Sequence, residues 1–211
     1  MGDNGKQSFR LGFLTAIEVP EKGFVGGLLV TNHYGRPLEF QCTLPVKPNP
    51  TQEILYGPAL GPFVLGELIG GTLIEKAGIK PHLILTDQEQ ILEVRNTCDA
   101  PVAFVSMPPS KSNSKKDEVA EGAADSTEAP LQSLHKAREK EGASERSEEA
   151  NGKPTEMRLG KHIIRFHAAH ADDRNVVKSE SQQLPTDADL REPFDRVREA
   201  LQETIRSGAL R

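Results

Sequence analysis

Cysteine is scarce in this chain of 211 residues: Cys42 and Cys98 are the only two, and they stand in unrelated contexts. A pair so placed reads as two reduced, buried small hydrophobes and excludes a disulfide framework or a zinc-spaced set. Aromatic residues make up 5% of the chain, and none falls in the stretch 109–156. That stretch is built from Ser, Glu, Lys, Ala and Gly, with Val119, Leu131 and Leu134 as its large apolar residues. It buries too little to offset an ordering cost of about 1–2 kcal/mol per residue, so it is expected to be a disordered low-complexity linker. A strong charge of one sign is also missing. The net charge is -5, with no basic stripe interleaved with aromatics, so no nucleic-acid partner is expected. Long apolar runs are absent too. The stretch 63–74 is too short to cross a bilayer and carries Glu67, so no membrane association is expected. The polar segment 1–8 lacks a signal peptide's apolar core, and Lys6 stands where a myristoylation signal needs Ser or Thr. The expectation is a cytoplasmic protein.

What is present points to an α+β fold with a mixed sheet: an antiparallel hairpin, a strand–helix–strand unit and packed helices, interrupted by the long insertion. In 9–19, Phe9, Leu11, Phe13, Ile17 and Val19 alternate with other residues, the signature of a half-buried strand closed by Pro20. A second strand is expected over 26–32 and a third over 37–44, where Leu38, Phe40, Cys42 and Leu44 share one face. The short connection through Gly35 makes these two an antiparallel hairpin. Pro45, Pro48 and Pro50 then break the sheet, and Asn49 with Gln52 forms a capping box for a short helix. A glycine-bearing helix follows over 62–77. Strands at 81–86 and 101–106 flank a helix that Asp87 and Gln90 would cap, giving a right-handed parallel unit. After the linker, 157–167 reads as one strand and 190–207 as an amphipathic helix with Phe194, Val197, Leu201 and Ile205 on one side. The organisation is thus 1–108 as an α+β domain, 109–156 as linker, and 157–211 as a strand plus helix docked on the first domain. Burying Ile163, Ile164 and Phe166 at about 1.5–3 kcal/mol each outweighs the roughly 1.2 kcal/mol added by the longer loop.

Chemistry is harder to find. His162, His167, His170, Asp172 and Asp173 are metal-ligand types, but a spacing of five puts His162 and His167 on opposite faces of a strand, so no metal is expected. Cys98 with His82 or His33 would be nucleophile and base types, with nothing in the sequence to join them. There is no phosphate-cradling loop of the P-loop kind and no nucleophile elbow, so no cofactor and no catalytic residue is assigned. The candidates for a ligand site are Lys47, Asn49, Gln52, Glu53 and Tyr56 on the stiff crossover 45–56, together with Asp87 at a strand end. The plainer reading of the crossover is a rigid connection, and of Asp87 a helix cap. Gly35-Arg36-Pro37-Leu38-Glu39-Phe40, Pro45-Val46-Lys47-Pro48-Asn49 and Gln52-Glu53-Ile54-Leu55-Tyr56-Gly57 give the run from Leu11 to Arg95 its character. On them it resembles a group of bacterial proteins of uncharacterised function, a likeness that brings no activity or cofactor with it. The expected function is a non-enzymatic protein-binding or regulatory module, meeting a protein partner or a second copy through the sheet edge, the helix glycines or the C-terminal helix. The alternative is a small ligand-binding protein or enzyme using the crossover and Asp87.

Overall fold

A computed structural model describes residues 8–106 and 155–209. Of the stretch 109–156 read as linker, 109–154 lies outside the described residues, and Glu156 already belongs to a strand. The fold is α+β around one seven-stranded mixed sheet. Its strands are β1 (Arg10–Val19), β2 (Gly23–Asn32), β3 (Pro37–Cys42), β4 (Leu83–Thr86), β5 (Val102–Val105), β6 (Glu156–Leu159) and β7 (His162–Phe166), in the order β3-β2-β1-β4-β5-β7-β6. β1 lies antiparallel to β2 and parallel to β4, and β4 lies parallel to β5, so the strand–helix–strand unit has the direction its sequence predicts. β2 and β3 form the antiparallel hairpin, with a register shift between Val30 and Thr31. β7 pairs antiparallel with β5, so the chain after the insertion extends the same sheet.

The alternation along β1 divides the core into two layers. Leu11 and Phe13 join Phe166, Phe194, Val197 and Leu201 on one face, whereas Leu14 and Ala16 join Ile69, Leu73, Ile91 and Val94 on the other. The first face is covered by α4 (Glu192–Arg206), with α3 (Asp173–Glu180) adding Val177. The second is covered by a π-helical segment Pro62–Gly71, by α2 (Thr72–Lys76) and by a 3-10 segment Glu89–Asn96. Successive glycines of β2 admit both layers. A Cβ on Gly26 would stand 2.0 Å from Ile69 Cγ2, and one on Gly27 would stand 2.8 Å from Val197 Cγ1.

Four local expectations are corrected. The stretch 157–167 is not one strand but the β6–β7 hairpin, folded at a two-residue loop where Gly160 takes φ 57. Only glycine adopts that backbone freely at the first loop position, and the register Leu159↔His162 follows from it. Asp87 does not cap the next helix: the segment Glu89–Asn96 follows Gln88, with no side-chain cap. The apolar stripe of α4 is core rather than a free surface, with Val197 and Leu201 both 0% exposed. Of the helix glycines, Gly66 and Gly70 are used inside the fold, a Cβ on Gly70 meeting Val94 at 3.2 Å and Leu14 at 3.3 Å, whereas one on Gly71 would meet nothing within 4 Å.

Candidate functional site

The crossover from β3 is held by its own polar groups. Phe24 and Val46 form an isolated antiparallel bridge, and Val46 packs against the second core layer. Lys47 Nζ donates to the carbonyl of Glu21 (3.0 Å), tying the crossover to the β1–β2 turn. The short helix α1 (Pro50–Tyr56) then starts at a complete capping box, in which Gln52 N–H donates to Asn49 Oδ1 (2.8 Å) and Asn49 N–H to Gln52 Oε1 (3.0 Å). Proline at its first position costs nothing there, because that amide has no helical acceptor. Tyr56 stacks on Phe63 with centroids 4.3 Å apart, pinning the far end.

With both ends fixed, α1 buries no residue. Ile54 is 82% exposed and Leu55 76%, and Leu44 before the helix and Leu68 after it are exposed as well. Thr51, Ile54 and Leu55 are spaced i, i+3 and i+4, which puts them on one side of the helix. Exposed Glu53, on the same helix, has no ion-pair partner among the described residues.

Asp87 belongs to the other layer. Its carboxylate accepts from Thr15 Oγ1 (2.8 Å) on β1 and is ion-paired with Arg198 of α4. The neighbouring Gln88 accepts the Ala16 amide through Oε1 at 2.8 Å. No hydrogen bond or ion pair among the described residues joins Asp87 to Lys47, Asn49, Gln52, Glu53 or Tyr56.

The rings of His167 and His170 come together across a 3-10 turn, with centroids 5.6 Å apart, but each also has its own partner. His162 pairs with Asp189 (3.2 Å), His167 Nε2 lies 3.4 Å from Glu93, and His170 Nε2 is 3.1 Å from Asn96 Oδ1. Among the described residues no group of three or more His, Cys, Asp or Glu side chains is placed to hold a metal ion. His82 and Cys98 do border one cavity of about 930 Å³, a proximity that no local pattern signals. Their chemistry is quiet. His82 Nδ1 accepts the Arg10 amide (2.9 Å) and Nε2 lies 3.4 Å from an Arg10 Nη, so both ring nitrogens face Arg10 rather than Cys98. Burial, helped by the nearby Arg10 charge, lowers the His82 pKa from its ordinary 6.5. Burial likewise raises the Cys98 thiol above its ordinary 9.0, the opposite of what an activated nucleophile needs.

Sequence reasoning missed the Arg95–Asp173 pair. Arg95 donates from Nε (2.7 Å) and from an Nη (3.0 Å) to the two Asp173 oxygens, and to the Cys98 carbonyl at 2.6 Å. Asp173 is buried, so this fork clamps α3 to the segment Glu89–Asn96 across the insertion. Two residues that far apart in sequence carry no local signal of meeting.

Membrane passage is not built into any single helix among the described residues, none of which is long and apolar enough for it. No model of a known protein family matches the chain, and no curated protein matches it either.

Proposed function

We propose that the protein is a non-enzymatic binding module that presents α1 to a protein partner, inserting Ile54 and Leu55 into an apolar groove rimmed by lysine or arginine. The observation that carries this reading is the largely exposed apolar pair on a helix rigidified at both ends. An unanchored helix this short is marginal in water, so the capping box, the proline and the Tyr56–Phe63 stack hold a shape that the core does not require. Preformed anchors lose little conformational entropy on docking, which suits the helix-in-groove mode of recognition. The basic rim follows from charge complementarity with the unpaired Glu53. The chain's overall acidity supports a protein over a nucleic acid as partner. Two unpaired thiols, Cys42 and Cys98, support a cytoplasmic setting. The alternative ligand site made from the crossover and Asp87 loses support, because those side chains serve separate parts of the fold.

The test uses the full chain with a photo-crosslinking residue in place of Leu55 and, as a control, at exposed Ile163. A protein captured from position 55 alone is purified and its affinity for the unmodified chain measured. Leu55→Asp is expected to weaken that binding by tenfold or more, as for a buried anchor, while the melting temperature stays put. Glu53→Lys is expected to weaken it further and to flatten its dependence on salt. Equal capture from both positions, unchanged affinity in Leu55→Asp, self-association removed by the same substitution, or sedimentation with lipid vesicles would each overturn the reading.

A further inference from the structure

The sheet ends at two edges of different character, β3 and β6. β6 is four residues long and carries Glu156 and Arg158, charges that blunt an edge against a passing strand. β3 carries no lysine or arginine, and its one charge, Glu39, is taken up within the chain. The Glu39 carboxylate accepts from Gln41 Nε2 (2.8 Å) and from the amides of Gly78 (2.9 Å) and Ile79 (2.6 Å). Glu39 lies opposite Val30, on the side of the second core layer. Phe40 and Cys42 lie opposite Leu29 and Gly27, on the α4 side, where Phe40 is 37% exposed.

Backbone direction completes the edge. The Thr43 amide donates to the Gly26 carbonyl (2.9 Å), so Thr43 turns its main-chain groups inward to β2, and alternation turns those of Gln41 and Glu39 the same way. Phe40 and Cys42 then turn theirs outward, where they meet no hydrogen-bond partner among the described residues. The regular stretch is bounded on both sides. A register shift separates Thr31↔Pro37 from Val30↔Glu39, and Pro45, which has no N–H to offer a ladder, follows Leu44. The open edge is therefore 39–43.

A strand that completes this edge must be apolar on the α4 side and must keep a carboxylate away from Glu39. β3 itself meets both conditions. Placed antiparallel about a two-fold axis at Gln41, two copies pair the whole stretch 39–43. Phe40 then faces Cys42 of the second copy, and the two such pairs exchange about four main-chain hydrogen bonds. Gln41 faces its own copy, amide to amide, and Glu39 faces the Thr43 hydroxyl instead of a second carboxylate. An axis one residue earlier runs into the register shift, and one residue later into Pro45. We infer that β3 pairs with β3 of a second copy in this register, joining two seven-stranded sheets into one. So short an edge buries less than a standard interface, which makes the dimer weak and concentration-dependent.

Sedimentation velocity of the full chain from about 1 to 300 µM is expected to move from 23.1 kDa toward twice that mass. Phe40→Lys, a charge at an exposed edge position, should hold the chain monomeric throughout and leave the melting temperature of the dilute protein unchanged. Gln41→Cys reads the register. Facing positions of this kind bring Cα atoms to about 4.5 Å, within disulfide reach, so diamide should link the copies. The unmodified chain, whose Cys42 faces Phe40, should stay unlinked under the same treatment. A chain monomeric at the highest concentration overturns the inference. So does a dimer that survives Phe40→Lys, or cross-linking of the unmodified chain as fast as that of Gln41→Cys. Leu55→Asp should leave the dimer intact, which separates this result from the α1 reading, and loss of the dimer in that variant would place the contact elsewhere and overturn it too.

Discussion

Two helices of this protein carry apolar side chains to opposite ends. α4 sinks Phe194, Val197 and Leu201 into the sheet, at 1%, 0% and 0% exposure. α1 holds Ile54 and Leu55 out in solvent at 82% and 76%. The difference lies in what stabilises each. α4 is fifteen residues long and is held by burial against Gly27 of β2. α1 is seven residues long and is held by its ends. Burial explains a helix by its stability, but end-capping without burial leaves the apolar residues unexplained by folding, and that is why function is sought at α1.

The contrast can be broken or sharpened by substitution. The largest effect belongs to Val197→Asp, which puts an unpaired carboxylate at the centre of the first core layer. A loss of about 4 kcal/mol or more is expected in denaturant unfolding. Gly27→Ala should follow at about 1–3 kcal/mol, because the added methyl meets Val197 and Leu201 in a packed layer and α4 must shift. Asn49→Ala should cost about 1 kcal/mol, but locally. Amide exchange in 52–56 should accelerate while global unfolding barely changes, since α1 buries nothing.

Acid should separate the two helices without mutation. His82 stacks on Phe9 of the α4 layer, with centroids 5.7 Å apart, and must be neutral at Nδ1 to accept the Arg10 amide. Its folded pKa lies below the unfolded value, so the unfolded chain binds the proton more readily. The stability from this site is present above about pH 6.5 and is lost as pH falls through the lower folded value. His82→Gln should flatten that part of the stability–pH curve. The α1 cap, made of two neutral amides, should show no such dependence. The smallest effect is expected from Leu55→Asp, within about 0.5 kcal/mol of the unmodified chain. A larger loss would show that α1 is part of the folding unit and would remove the contrast.

Much of the fold was legible because its signals are local. Alternation marked β1 and β3, and Gly35 marked the turn between β2 and β3. Asn49, Pro50 and Gln52 marked the start of α1 down to both hydrogen bonds of its capping box. Gly160 was misread because one glycine inside an apolar run looks like part of a strand until the chain is seen to fold back on itself. Asp87 was misread for a similar reason. A carboxylate three residues before Gln90 looks like a cap, but Thr15 and Arg198, both distant in sequence, claim it first. The candidate site was half legible: the rigid crossover could be named, but not that its neighbours Ile54 and Leu55 stand uncovered.

The sequence by itself determined β1 to β5, the direction of their pairing and the capped crossover, since each follows from backbone preference and side-chain period over a few residues, but not the β6–β7 turn or α3. Only the tertiary structure decided which apolar residues are covered, that Arg95 meets Asp173, and that β3 stands at an open edge of the sheet. Exposure and long-range pairing depend on which elements come to lie on which face. That outcome belongs to the packing of the whole chain and is written in no single stretch of it.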